Sequence, residues 1–278
     1  MIACAQLAPI LGDLDGNRER AAAAIRRAAA AGAGLIVLPE LCSAGYAFSD
    51  EAEARALAEP AAGPTVERWC MLAAQFGVVI VGGFCELDDD ARLHNSAAVV
   101  SPAGVHVIYR KTHLWDREQL IFAAGAQRPP VVDTAVGRIG VAICYDAFFP
   151  EVMRGLALDG ADLIAVPMNS PLDGPPIEPL AIEAVLAVAA AQVNRVFVAQ
   201  ADRCGDERGT EWAQASLIAD PAGRLLCAPA QGERVLTAPC DLSAARTKAL
   251  GARNDVLGDR RPELYQTDNY QGRQQWVA

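Results

Sequence analysis

The sequence predicts an α/β layered domain with a mixed sheet system, and three observations predict it. Short apolar runs, AGLIVL over 33–38, VVIVGGF over 78–84 and ADLIAV over 161–166, alternate with helical patterns. Turn signals at Pro102-Ala103-Gly104 and Pro221-Ala222-Gly223 separate pairs of strand-like runs, so part of the sheet is antiparallel. No Gly/Ser/Pro-rich linker divides the chain. It reads as a single domain over 1–278 that ends in a polar tail, 260–278, of a kind that packs on something else.

Taken in order, Met1 to Leu7 alternates apolar and small residues and reads as a strand. Asp13 to Asn17 reads as a turn, and Asn17 to Ala31 as a helix with charges on one face and alanines on the other. Ala33 to Leu38 is a buried strand that stops at Pro39-Glu40. Its glycines precede a strand instead of following one, which rules out a dinucleotide loop. Ser49 to Leu57 reads as a surface helix, Thr65 to Phe76 as another, and Val78 to Phe84 as a buried strand. Asn95 to Ser101 and Val105 to Arg110 form a hairpin-like pair. The connection over 112–130 is long and irregular, and such a loop in a compact domain is usually functional. Arg138 to Ile143 is a short strand; a helix follows from Pro150 to Leu158, then a strand over 161–166 that again stops at a proline. This echo of AGLIVLPE points to two similarly built halves. Glu178 to Gln192 is an Ala-rich helix, Arg195 to Gln200 a strand, and Ala215 to Asp220, Leu225 to Cys227 and Val235 to Asp241 read as an antiparallel meander.

Composition limits the function classes. The formal net charge is −10, and no basic stripe is interleaved with aromatics, which argues against nucleic acid or an anionic membrane as partner. No apolar run reaches the ~18 residues a membrane span needs. Met1 leads directly into IACAQLAPI, too short and without the basic start of an export leader, so a cytoplasmic location is expected. The eight cysteines are scattered, several inside strand-like runs, as reduced thiols in a cytoplasm would be. Neither CxxC nor HExxH occurs, so no metal site is expected.

The chemistry gathers around GRIGVAICYDAFFPE, 137–151. A buried strand runs into Cys144, and Pro150-Glu151 opens a helix. A thiol at a strand-to-helix turn can be exposed, and nearby backbone N–H groups favour its thiolate. Taken alone, such a cysteine is more often one small core residue. Two other apolar strands, however, also deliver a reactive residue at their ends: Glu40 after LIVLP and Lys111 after VHVIYR. Each alone reads as a surface charge. Together they supply the base, cation and thiol that nucleophilic acyl chemistry requires. With only two lysines in the chain, the placement of Lys111 carries weight.

Across nearly its whole length the chain resembles the nitrilase superfamily of carbon–nitrogen hydrolases. The resemblance rests on PELCSAGY around Glu40, YRKTHLW around Lys111 and GVAICYDAFFPE around Cys144, with AQLAP, GADLIAVP, SLIADPAG and RRPELY in the same order. It implies a four-layer α-β-β-α sandwich, a homodimer or larger homo-oligomer built by continuing those layers, and a tail lying along a neighbouring subunit. It also implies a Glu40–Lys111–Cys144 triad working without metal or organic cofactor. Relatives often carry a second glutamate eight residues past the lysine. Glu118, seven past Lys111, is that residue here, a one-residue deletion explaining the offset. On this reading Glu40 is the general base, Cys144 the nucleophile, and Lys111 with the Tyr145 backbone N–H the oxyanion site, while Glu118 keeps Lys111 charged.

Cys-Tyr-Asp resembles the amidase branches, and no arginine stands close after the nucleophile. Tyr46, Trp115 and Phe148 are expected as apolar pocket walls and Asn169 as a polar contact. The leading reading is an amidase releasing ammonia from a small neutral amide. An N-carbamoyl-compound amidohydrolase or a nitrilase is the alternative within the family. Outside it stand a metal-dependent phosphatase or nuclease of layered fold, with only three histidines to serve it, and a catalytically silent binding protein.

Overall fold

The computed structural model describes residues 1–172 and 180–265. In 1–247, one sheet is built from β1 (Ile2–Gln6), β2 (Leu35–Val37), β3 (Val79–Leu87), β4 (Leu93–Ser101) and β5 (Gly104–Arg110). The other comprises β6 (Val131–Thr134), β7 (Gly137–Val141), β8 (Leu163–Pro167), β9 (Phe197–Ala201), β10 (Leu217–Ala219) and β11 (Leu225–Cys227). A last strand, β12 (Arg234–Ala238), joins the first sheet. The orders are β12-β1-β2-β3-β4-β5 and β11-β10-β9-β8-β7-β6. Among the described residues, five α-helices are interspersed: α1 (Leu14–Ala30), α2 (Glu51–Leu57), α3 (Pro64–Phe76), α4 (Pro150–Leu158) and α5 (Ile182–Asn194).

The two-residue period of the strands creates the layers. Leu35, Val37, Val79, Val81, Ala97 and Val99 point from the first sheet into a core shared with Ile139, Val141 and Leu163 of the second. Their sequence neighbours Ile36, Ile80, Ala98 and Val100 face the opposite way, onto Ala21, Ile25, Val66 and Trp69 of α1 and α3. The second sheet in turn packs on Met153, Leu156, Ala184 and Ala187 of α4 and α5. The result is helices, sheet, sheet, helices, the four-layer sandwich expected.

Helix boundaries follow local chemistry. Asp13 accepts a hydrogen bond from the Gly16 N–H at 3.0 Å, so α1 starts at Leu14, inside the stretch expected to be a turn. Pro64 and Pro150 stand in the first turns of α3 and α4, where a missing N–H costs nothing. The Ala-rich helix starts at Ile182, later than the expected Glu178, which lies outside the described residues; Leu180 and Ala181 are not helical.

One expectation is corrected, and one unassigned stretch gains a strand. Residues 131–134, just past the connection expected over 112–130, form β6 and pair antiparallel with β7. The meander over 215–241 breaks after β11: β12 leaves that sheet and pairs antiparallel with β1, Ile2 opposite Ala238. Strand patterning reports which residues alternate, not which neighbour they find. The echo between 33–40 and 160–167 has a structural counterpart. Both β2 and β8 are interior strands with parallel neighbours on each side.

The described residues from Lys248 on belong to a second unit, in which β13 (Ala249–Gly251) and β14 (Asn254–Asp255) pair as a small hairpin. Most of the tail expected to contact a neighbouring subunit, 266–278, lies outside the described residues.

Candidate active site

Strands from both sheets deliver the reactive residues. Glu40 lies three positions past β2, and Lys111 directly follows β5, which runs in the same direction as β2. Cys144 opens a 3₁₀ turn, Cys144–Phe148, three residues beyond β7, and Asn169 follows β8. The sheets meet here: Asn169 Nδ2 donates to the Glu40 carbonyl at 2.9 Å. Gly83 on β3 makes room, because a Cβ there would lie 2.5 Å from the Glu40 Cα.

Glu40 and Lys111 are completely buried, and Glu118 is 4 % exposed. Lys111 Nζ donates to Glu40 Oε1 at 2.7 Å and to Glu118 at 2.8 Å. Asn95 Nδ2 also donates to Glu40 Oε1, at 2.7 Å, whereas Glu40 Oε2 is buried with no hydrogen-bond partner among the described residues. Glu118 is held from two further directions, by the Tyr46 hydroxyl at 2.8 Å and by the Trp115 N–H at 3.2 Å. The Cys144 thiol donates to the Asn169 carbonyl at 3.5 Å. Cys144 has φ of +45°, a left-handed conformation costing a non-glycine residue roughly 1–2 kcal/mol. The Tyr145 N–H lies in the first turn that follows, where amides lack an intrahelical acceptor.

Burial dominates the electrostatics. It pushes Glu40 up to about 7, with Lys111 opposing the shift and Glu118 adding to it. Burial alone would push Lys111 down, but Glu118 and Glu40 together hold it well above the ordinary lysine value. The Cys144 thiol is driven well above its usual value, first by burial and then by Glu40, with Lys111 pulling the other way. At rest the sulfur therefore keeps its proton, and the Glu40 carboxyl is tuned close to neutrality.

Beside this cluster lies a cavity of about 400 Å³ lined by Glu118 and by the rings of Tyr46, Phe48, Trp115, Phe122 and Trp212. Tyr46 and Trp115 thus stand where the sequence predicts pocket walls. Phe148 does not line this cavity; its ring packs against Trp115 and Tyr145, with centroids at 6.5 and 5.5 Å. Asn169 ties the Cys144 turn to the Glu40 loop through its backbone and amide.

Sequence reasoning missed Asn95, Phe48 and Trp212, and the pair behind Trp212. Arg203 is wholly buried, donates to Glu207 at 2.7 Å, and stacks 4.2 Å from the Trp212 ring centre. Glu207 in turn accepts the N–H groups of Tyr46 and Ala47 at 2.7 and 2.6 Å. The usable signal was length: 202–216 is a second long connection, between β9 and β10. Among the described residues, no three His, Cys, Asp or Glu side chains are grouped to hold a metal ion, and no helix is long and apolar enough to cross a membrane.

A thiol, a carboxylate and an ammonium gathered where strands of two stacked sheets end make up the chemical set of a thiol-dependent hydrolase. The chain belongs to the carbon–nitrogen hydrolase family, whose profile matches residues 1–249. A nitrilase from Pyrococcus abyssi is 39% identical over 266 residues, covering 95% of this chain and 98% of that protein. An (R)-stereoselective amidase from a Pseudomonas species is 35% identical, covering 97% and 95%. Among solved structures, a cysteine-to-alanine mutant of the amidase from Nesterenkonia sp. AN1, in complex with butyramide, superposes with a TM-score of 0.77 at 25% identity, covering 95% of this chain and 94% of that one. Another structure of the same amidase carries the acetamide moiety of fluoroacetamide covalently on its active-site cysteine.

Proposed function

We propose that this carbon–nitrogen hydrolase is an amidase that releases ammonia from a small amide with a neutral acyl group, through a thioester on Cys144. The observation that carries the reading is the pair of oxygens on Glu40. Oε1 is saturated by Lys111 and Asn95, while Oε2 is left open, on a carboxylate raised to about 7. A base with one free oxygen and such a pKa suits proton transfer at neutral pH.

As the Cys144 sulfur bonds to the carbonyl carbon, its proton passes to Glu40. Lys111 Nζ and the Tyr145 N–H stabilise the charge that develops on oxygen. Glu40 gives the proton to the amide nitrogen, the C–N bond breaks and ammonia leaves. Water then attacks the thioester, loses its proton to Glu40, and the C–S bond breaks with the sulfur reprotonated. Glu118 keeps Lys111 charged throughout, oriented by Tyr46. Nothing in this sequence of steps calls for a cofactor.

The neutral acyl group follows from the cavity. Its walls carry five aromatic rings and the carboxylates of Asp116 and Glu118; of its two guanidinium groups, Arg208 is paired with Glu53 at 2.6 and 2.9 Å, and Arg117 donates to the Ser49 carbonyl at 2.7 Å. A substrate carboxylate would be desolvated beside the carboxylates of Asp116 and Glu118. The amidases named above, one of them binding butyramide, support the same choice. Ammonia release measured across amides, N-carbamoyl compounds and nitriles tests it. Fastest turnover of a nitrile, in line with the Pyrococcus relative, would replace this reading by the nitrilase one. The protein is further expected to work as a cytoplasmic homodimer or larger homo-oligomer, and sedimentation equilibrium at micromolar concentration checks the assembly.

A further inference from the structure

Asp146 is absent from the chemistry just described, yet it is completely buried and accepts five hydrogen bonds. Oδ2 accepts from the Ile143 N–H at 3.0 Å and from the Tyr109 hydroxyl at 2.8 Å. Oδ1 accepts from the Thr112 hydroxyl at 3.0 Å, the His113 N–H at 3.1 Å and His113 Nδ1 at 2.7 Å. An ionised carboxylate, which only accepts, matches a shell made of donors.

These donors come from two places. Ile143 immediately precedes Cys144, just past β7 of the second sheet, whereas Tyr109, Thr112 and His113 flank Lys111 at the end of β5 on the first. One carboxylate therefore joins the two chain segments carrying nucleophile and ammonium. It also bridges the turn in which Cys144 takes its left-handed conformation, and such strain persists only where the surroundings over-determine it. Resting on the catalytic reading above, we propose that Asp146 is a positioning residue: it sets the placement of Cys144 relative to Lys111, and with it the reactivity of the thiol.

The test uses four full-length variants: Asp146→Asn, Tyr109→Phe, Thr112→Val and the double variant of the last two. An asparagine keeps the shape but turns a donor toward donors on one side. The two single changes each remove one hydrogen bond to the carboxylate, along with the hydroxyl contact between Tyr109 and Thr112 and, for Thr112, its contact with His113, and leave the carboxylate in place. Melting temperature, kcat, KM and the pH dependence of Cys144 alkylation by iodoacetamide are measured for each. Asp146→Asn is expected to lower kcat roughly 100-fold, the scale of a misplacement of about 1 Å, with KM within about twofold. Tyr109→Phe and Thr112→Val should each lower kcat several-fold, the double variant more, and all should shift the alkylation profile. Should Asp146→Asn fail to fold, the other three decide. Folded variants with wild-type kcat and an unchanged alkylation profile, even if they melt earlier, would reduce Asp146 to a structural residue and overturn the proposal alone. Wild-type protein whose Cys144 resists alkylation would overturn the catalytic reading and this one together.

Discussion

Lys111 Nζ sits 2.7 Å from Glu40 Oε1, although two strands, β3 and β4, separate the strands that carry the two residues. Both side chains are wholly buried, where removing one partner strands the other's charge. Lys111→Arg should therefore fail nearly as badly as Lys111→Ala, although it preserves the charge. A planar guanidinium is longer than an ammonium and cannot take the same point position between Glu40 and Glu118. The loss expected in kcat is on the order of 100-fold or more, the worth of an oxyanion donor. Near-normal steady-state rates in the arginine variant would remove Lys111 from the oxyanion site.

Cys144→Ala should abolish turnover and leave the fold intact, since the change removes one sulfur atom at a position 7 % exposed. Cys144→Ser should fail as well, because a carboxylate of pKa about 7 is a weak base toward a hydroxyl. Ammonia release together with thermal melting checks both. More than trace activity in a well-folded alanine variant rules out the thioester.

The pH–rate profile should report Glu40. Burial raises its carboxyl from the ordinary value to about 7, and a general base works only when deprotonated. On the acid side kcat/KM should thus fall about tenfold per pH unit below roughly 7. An acid limb near the ordinary glutamate value of about 4.3 would show that this group is not the base. Glu40→Gln should remove the activity at every pH.

Specificity should follow the aromatic cavity. Each methylene buried against Tyr46, Trp115 or Trp212 contributes roughly 0.8 kcal/mol, so kcat/KM should climb about fourfold per CH₂ until the space is filled. Trp115→Ala should flatten that slope. Dicarboxylic monoamides and N-carbamoyl amino acids should trail neutral amides. If either proves the best substrate, a displaced arginine must be supplying the charge, and Arg208→Gln would show it. Because Phe148 packs on Trp115 and Tyr145 and not in the cavity wall, Phe148→Arg should change this ratio little, contrary to what its place in the sequence implies.

The sequence by itself determined which residues are candidates for the chemistry and where they fall along strands. Glu40, Lys111 and Cys144 are legible because each ends an apolar run whose burial is written in its composition, and a strand end is where a side chain leaves the sheet. The same patterning determined the strand–helix alternation and the α/β class. Glu118 was legible only through likeness to relatives, for nothing local distinguishes it from other loop carboxylates. Pairing belongs to tertiary structure. That β12 crosses to β1, that Asn95 and Lys111 share one oxygen of Glu40, that Glu207 braces Tyr46 from a loop 161 residues away, and that Asp146 binds two sheets together are all contacts between distant segments. The period of a strand says which face a residue takes, but the partner on that face is chosen by packing and by the need to satisfy every buried polar group. So is the pKa of Glu40, which comes from desolvation inside a sandwich that no short stretch of sequence contains.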